Sequence, residues 1–246
     1  MKAAIPVVIS MTLVLAACST TGNMREVNLK KASQVNAELG LRYLNEGELQ
    51  LAKLKAEKAI EQDKRNALAN NINGTVQERL GNLDDADEYF RRAVQLAPDQ
   101  PEYANSYGAY LCDAGRVDDG VAQFEKVARN PLHRTPALAY ENAAMCAMQD
   151  KKLAVAERNL QAALKLEPGY ARARFGLTEI QFAGGRYGEA LANVQQLEKE
   201  SKLNAEVAAL GVRAAKALKR PDVAEHYHYI LQSRFPDSYQ ARALSN

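Results

Sequence analysis

A pattern of 34 residues recurs six times along this chain, over residues 33–66, 67–100, 101–136, 137–170, 171–204 and 205–238. A fixed period of this length specifies a stack of like units, each unable to bury its own apolar face and each packing on its neighbours. The third copy shows the plan. Residues 102–114 place Ala104, Tyr107, Gly108 and Leu111 on one face at helical spacing, and Gly115-Arg116 supplies a turn. Residues 118–129 then direct Val121, Phe124 and Val127/Ala128 inward, and Asn130-Pro131 breaks the second helix. The expected fold is all-α, a right-handed superhelical solenoid of six helix pairs. The final segment, Asp237–Asn246, with residues 239–246 as the tail beyond the last unit, is expected to close that unit only loosely.

The other copies keep the same skeleton in register. The first has Leu39, Gly40, Tyr43, Ala52, Ala56 and Ala59; the second has Gly74, Gly81, Ala86, Phe90, Ala93 and Pro98. The fourth has Ala144, Ala156, Leu160, Ala163 and Pro168, and the fifth Leu177, Gly185, Ala190, Val194 and Leu197. In the sixth, Gly211, Ala215, Ala224, His228, Leu231 and Pro236 take these places, with His228 as the expected gap-filler. Small residues near the eighth, twentieth and twenty-seventh places let two helices cross closely, and a bulky one near the twenty-fourth fills the space between them. This pattern resembles the tetratricopeptide repeat over almost the whole chain beyond residue 33. It departs from that repeat where the fourth-place aromatic survives only as Tyr140, and where unit three carries two extra residues around Leu132-His133-Arg134-Thr135.

The resemblance implies a binding groove lined by the first helix of each unit. The positions it assigns include Leu41, Leu44, Asn71, Asn105, Glu141, Met145, Met148, Phe175 and Phe182, with Arg172, Arg213 and Lys216 beside them. Apolar entries suit a partner segment pressed into a groove, and Met adapts to such surfaces. The pairs Leu41/Leu44 and Met145/Met148 are expected to face it.

The front of the chain has a different character. Lys2 is followed by an apolar run from Ala3 to Ala17 broken only by Ser10 and Thr12, too short to span a bilayer, which takes about 20 residues. It ends in Leu15-Ala16-Ala17-Cys18, small residues directly before a cysteine, so residues 1–17 read as a cleaved signal. Lipoproteins of this anatomy carry lipid on the cysteine, and stable anchoring needs more than one acyl chain. Residues 18–32 are then expected to form a lipidated start and polar tether, and the resemblance to such lipoproteins implies that Ser19 favours export to the outer membrane.

Cys112 and Cys146 lie one period apart, at the twelfth and tenth places of their units. At about 100° per residue these places are roughly 160° apart on the helix wheel. One thiol can therefore face forward and the other back, and a disulfide follows if the backbones come within about 7 Å. Two buried thiols acting as small hydrophobes are the alternative.

A narrower likeness rests on residues 105–112, Asn-Ser-Tyr-Gly-Ala-Tyr-Leu-Cys, followed by Gly115-Arg116, Phe124, Asn130-Pro131 and Thr135-Pro136. Residues 141–146, Glu-Asn-Ala-Ala-Met-Cys, and 39–44, Leu-Gly-Leu-Arg-Tyr-Leu, belong to it as well. Together with the anchor, the arrangement resembles type IV pilus biogenesis lipoproteins of the PilF/PilW kind. That resemblance implies a pilotin-like scaffold, outer-membrane anchored and facing the periplasm, whose partner is the pilus secretin or another pilus assembly protein. A periplasmic adaptor for another envelope complex, such as one handling peptidoglycan, would use the same architecture.

Other chemistries find no support. The formal charge is +2 with no basic stripe interleaved with aromatics, which argues against nucleic acid. His226 and His228 are two apart and point to different faces, so they cannot form an i, i+4 metal pair; His133 lies in the insertion. Gly184-Gly185 is a repeat turn rather than a phosphate loop, and neither cysteine of the repeat has a His partner in the pattern. No enzyme activity, metal, cofactor or small-molecule substrate is expected.

Overall fold

The computed structural model describes the backbone of residues 15–131 and 133–244, and side chains from Met24 onward within those ranges. Residues 1–14 of the expected signal, residues 1–17, and the lipidated Cys18 side chain lie outside the described residues. Thirteen helices and no strand occur among the described residues. They are α1 Leu15–Asn45, α2 Leu49–Gln62, α3 Ala67–Arg79, α4 Leu83–Leu96, α5 Pro101–Asp113, α6 Val117–Ala128 and α7 Pro136–Gln149. There follow α8 Leu153–Leu166, α9 Ala171–Ala183, α10 Tyr187–Lys199, α11 Ala205–Ala217, α12 Pro221–Arg234 and α13 Tyr239–Leu244. From α1 to α12 they form the six expected pairs of an all-α solenoid. The helices gather into two compact units, one ending at Ser106 and the other beginning at Tyr107, within α5.

What fixes the pairs is a turn repeated six times. At the fifteenth place of each unit the backbone takes positive φ: 81° at Gly47, 81° at Gly81, 77° at Gly115, 53° at Lys151, 74° at Gly185 and 55° at Lys219. The next amide closes back on the carbonyl five residues earlier, for instance Asn82 N–H to Gln77 at 2.9 Å and Arg116 N–H to Leu111 at 2.7 Å. This satisfies carbonyls that the helix end would leave orphaned. Glycine occupies the position without steric cost, whereas a lysine there is strained by about 1–2 kcal/mol. Lys151→Gly and Lys219→Gly should therefore each raise stability by about 0.5–1 kcal/mol, net of the greater chain entropy of glycine. Thermal melts of the single variants check this, and unchanged midpoints would show that the lysines sit there at no cost.

Behind each turn the helices meet through small residues. The twentieth place holds Ala52, Ala86, Gly120, Ala156, Ala190 and Ala224, all buried. Unit three is the exception in having glycine, and the reason is local. A Cβ on Gly120 would collide with Cys112 Sγ, and it would sit 2.9 Å from the Gly108 carbonyl and 3.1 Å from Cys146 Sγ. Cys112 and Cys146 are bonded, their Cα atoms 5.6 Å apart, joining α5 to α7 through the space that an alanine methyl would take. Cys146 Sγ also lies 3.6 Å from the Val117 carbonyl.

Two ends of the chain differ from expectation. α1 begins at Leu15, so the backbone through the tether is helical and continuous with the first repeat helix. The tail is a docked helix rather than a loose closure. α13 packs on α11 and α12, burying Ala241. Its start is held by Ser238, whose Oγ accepts from Ala241 N–H at 3.0 Å, while Gln232 Nε2 donates to the Ala241 carbonyl at 3.1 Å. A hydroxyl cap and one small buried residue suffice to seat a six-residue helix on the apolar end of the stack.

Candidate partner-binding face

In the second compact unit the first helices of successive pairs, α7, α9 and α11, are linked by side chains projecting from their equivalent faces. Glu141, on α7 at the fifth place of its repeat unit, is only 4% exposed. One carboxylate oxygen accepts from the Tyr170 hydroxyl, and the other pairs with Arg172 at 2.8 Å, whose guanidinium is otherwise largely exposed. A buried acid thus spends its two oxygens on orienting a tyrosine and an arginine at the next helix start, which satisfies the demand that a buried charge be paired. Further along, the Arg213 guanidinium from α11 lies 4.5 Å above the Phe182 ring of α9, and Phe182 packs edge-on against Tyr187 at 5.2 Å. Burial of Tyr170 and its bond to Glu141 push the phenol up to about 12.

That shift has a testable sign. The folded phenol keeps its proton to higher pH than the unfolded one at about 10. The stability it contributes is therefore complete below pH 10 and lost as pH climbs from 10 towards 12. In Glu141→Gln the carboxylate is gone, so alkaline absorbance titration should show one tyrosine ionising earlier than in the parent chain. Superimposable titration curves would disprove the coupling.

The residues expected in the groove distribute unevenly. Met145 is 52% exposed on α7, whereas Met148 is half-buried against the core of its unit. Phe175 and Phe182 are half-buried and pack on the core around α11 and α12. Glu141, Met145, Met148, Phe175 and Phe182 thus share one unit, on α7 and α9. In the first unit, Leu41 is exposed, but Leu44 is 8% exposed and belongs to the core with Ala52, Ala56, Ile72 and Val76. Leu44 is therefore a packing residue, not a groove residue. Residues three apart differ by about 60° on the wheel, enough to turn Leu44 into the core and Met148 against its edge. Asn71 on α3 and Asn105 on α5 are half-buried with their Oδ1 atoms turned inward, where no hydrogen-bond partner reaches them among the described residues. Tyr170 and the exposed Leu138 and Leu166 were not among the expected groove residues, although Leu138 stands at a second place, which the resemblance to tetratricopeptide repeats implies is groove-facing.

The face offers apolar side chains, an oriented guanidinium and a ring-backed one: features for holding a polypeptide. Among the described residues no cluster of three or more His, Cys, Asp or Glu could hold a metal ion.

Tetratricopeptide-repeat family models match residues 38–101 and 147–214. The type IV pilus assembly protein PilF of Pseudomonas aeruginosa is 24% identical over 230 residues, covering 92% of this chain and 91% of that protein. The solved structure of Pseudomonas aeruginosa PilF superposes with a TM-score of 0.66 at 23% identity, over 89% of this chain and 98% of the other. The crystal structure of PilW, a widely conserved type IV pilus biogenesis factor, superposes with a TM-score of 0.64 at 28% identity, over 87% and 98%. With six helix pairs on one 34-residue register and matches to PilF and PilW running nearly end to end, the chain belongs to the tetratricopeptide-repeat family and is PilF/PilW-like within it.

Proposed function

We propose that this protein is a non-enzymatic scaffold for type IV pilus biogenesis, anchored in the outer membrane through lipid on Cys18. In this reading it acts as a pilotin, promoting localisation and multimerisation of the pilus secretin from the periplasmic side. The observation that carries the reading is the end-to-end match to PilF, over more than nine-tenths of both chains. The small, apolar Leu15-Ala16-Ala17 before Cys18 supports the anchor. The α7–α9–α11 face supplies exposed Met145 and the arginines Arg172 and Arg213 for a partner segment.

The test is an unboiled gel of membrane fractions from a deletion strain, probed for the heat-resistant secretin multimer. Loss of the multimer, or its retention in the inner membrane, is the expected result. Normal outer-membrane multimers with pili absent would move the role to pilus stability. Normal multimers with normal pili would leave a periplasmic adaptor and remove the pilus assignment. Cys18→Ala should release the protein from the membrane fraction, and a variant that stays membrane-bound would overturn the anchor.

A further inference from the structure

A cleft lies beside the two-residue insertion that sets unit three apart. Between the insertion, the start of α7, the end of α8 and the start of α9 lies a cavity of about 450 Å³. Leu138 and Leu166 line it, and both are exposed, Leu166 by 54%. Arg134 from the insertion and Arg172 from α9 stand over it, the latter held by buried Glu141, whose other partner Tyr170 also lines the cleft. The α7 helix start belongs to the same cleft and, like that of α9, has no side-chain cap. Asn66 and Asn204 cap α3 and α11 through their side chains. Thr135 makes no such bond, its hydroxyl lying 3.4 Å from His133 Nε2 instead.

Leucine side chains beside water are ordinary when single, but two within one concavity form a surface to be covered. The cover must also suit its charges. Two guanidinium groups and an uncapped helix start favour an anion, and Arg172, already fixed from one side by Glu141, loses little freedom in accepting a carboxylate from the other. Glu167 is the one carboxylate on the rim, at the α8 side, so an incoming acid is drawn towards α7 and α9.

We propose that this cleft binds an extended segment of a partner protein in which a large apolar side chain is followed directly by aspartate or glutamate. The apolar group covers Leu138 and Leu166, and the carboxylate bridges Arg134 and Arg172. The inference rests on the scaffold reading, and it names the chemistry of one partner contact at the edge of that face.

The test is a titration of the isotope-labelled soluble chain, at low salt, with an acetylated ten-residue peptide carrying Leu-Asp between Gly-Ser flanks. The expected result is methyl shifts centred on Leu138 and Leu166, with binding weakened about tenfold for Leu-Asn or Ala-Asp peptides. Arg134→Gln, at an exposed site, should weaken binding by a similar factor, and Arg172→Gln should do the same while its melt reports folding. Absent shifts, equal binding of the Leu-Asn peptide, or shifts centred elsewhere would overturn the proposal. So would phosphatidylglycerol vesicles binding this cleft in place of the peptide, or a self-association abolished by Leu166→Glu, which would make the occupant a lipid or a second copy. Because the readout is peptide binding, its failure leaves the secretin assay standing.

Discussion

Replacing Cys112 and Cys146 together by alanine is expected to lower the melting temperature of the oxidised chain by about 10 °C, and adding reductant to the parent chain should do nearly the same. The bridge spans 34 residues; closing a loop of that length removes enough freedom from the unfolded chain to stabilise by about 3–4 kcal/mol in the chain-entropy model. A chain of this size shifts by roughly 2–4 °C per kcal/mol. In a stack where each unit leans only on its neighbours, the bridge ties α5 to α7 across an intervening helix. The loss should therefore concentrate in those two pairs and appear as faster amide exchange along α5, α6 and α7. A parent chain whose melt is indifferent to reductant would defeat this account.

The bridge also predicts its neighbour. Gly120→Ala should destabilise the oxidised chain by about 1–3 kcal/mol, the ordinary cost of forcing atoms into a filled site. The same substitution in the alanine double variant should cost less, since the nearest clash, with Cys112 Sγ, is gone. Some cost remains because the Gly108 carbonyl stays 2.9 Å from the added methyl. Simple additivity between the two changes would show that glycine at the twentieth place has nothing to do with the disulfide.

The period made the helix pairs, their turns and their small-residue contacts legible, because each depends on residue type at a fixed place. Positive φ recurs at the fifteenth place even where lysine stands there, so the register is stronger than the glycine that usually marks it. Three other features left no such mark. α1 runs back to Leu15 through a segment whose exposed Met24, Val27 and Leu29 follow no buried stripe, and apolar periodicity reports burial, not helicity. The tail helix is seated by one hydroxyl cap and one alanine, too few residues to show a period. The groove was legible as a set of places but not as a set of exposures. Leu44 and Met148 occupy the same twelfth place, yet Leu44 is core while Met148 is half-buried. The tilt of each helix decides on which side of the rim a place falls.

The same sensitivity sets the largest single-residue effect expected in the C-terminal pair. By register His228 should fill the gap between α11 and its neighbours, but the side chain that does so is Tyr227, 1% exposed. Its ring lies against Gly211, where an added Cβ would meet ring carbons at 2.8 Å, and its hydroxyl donates to Glu198 Oε2 at 2.8 Å. His228 sits at the margin, beside Lys216, Glu225 and Leu244. A one-residue offset turns a side chain by about 100°, so glycine has moved to the seventh place and its bulky partner to the twenty-third, preserving the contact while breaking the count. Tyr227→Ala should then cost about 3–5 kcal/mol, the usual range for emptying a buried aromatic site, and His228→Ala less than about 0.5 kcal/mol. Tyr227→Phe separates packing from polarity: losing one hydrogen bond should cost about 1 kcal/mol, while Glu198 keeps its 2.7 Å contact with His226 Nε2. Denaturant melts of the three variants decide the matter. If His228→Ala proved the more damaging, the gap would be filled as the count alone implies, and the rotated packing of α11 on α12 would be wrong.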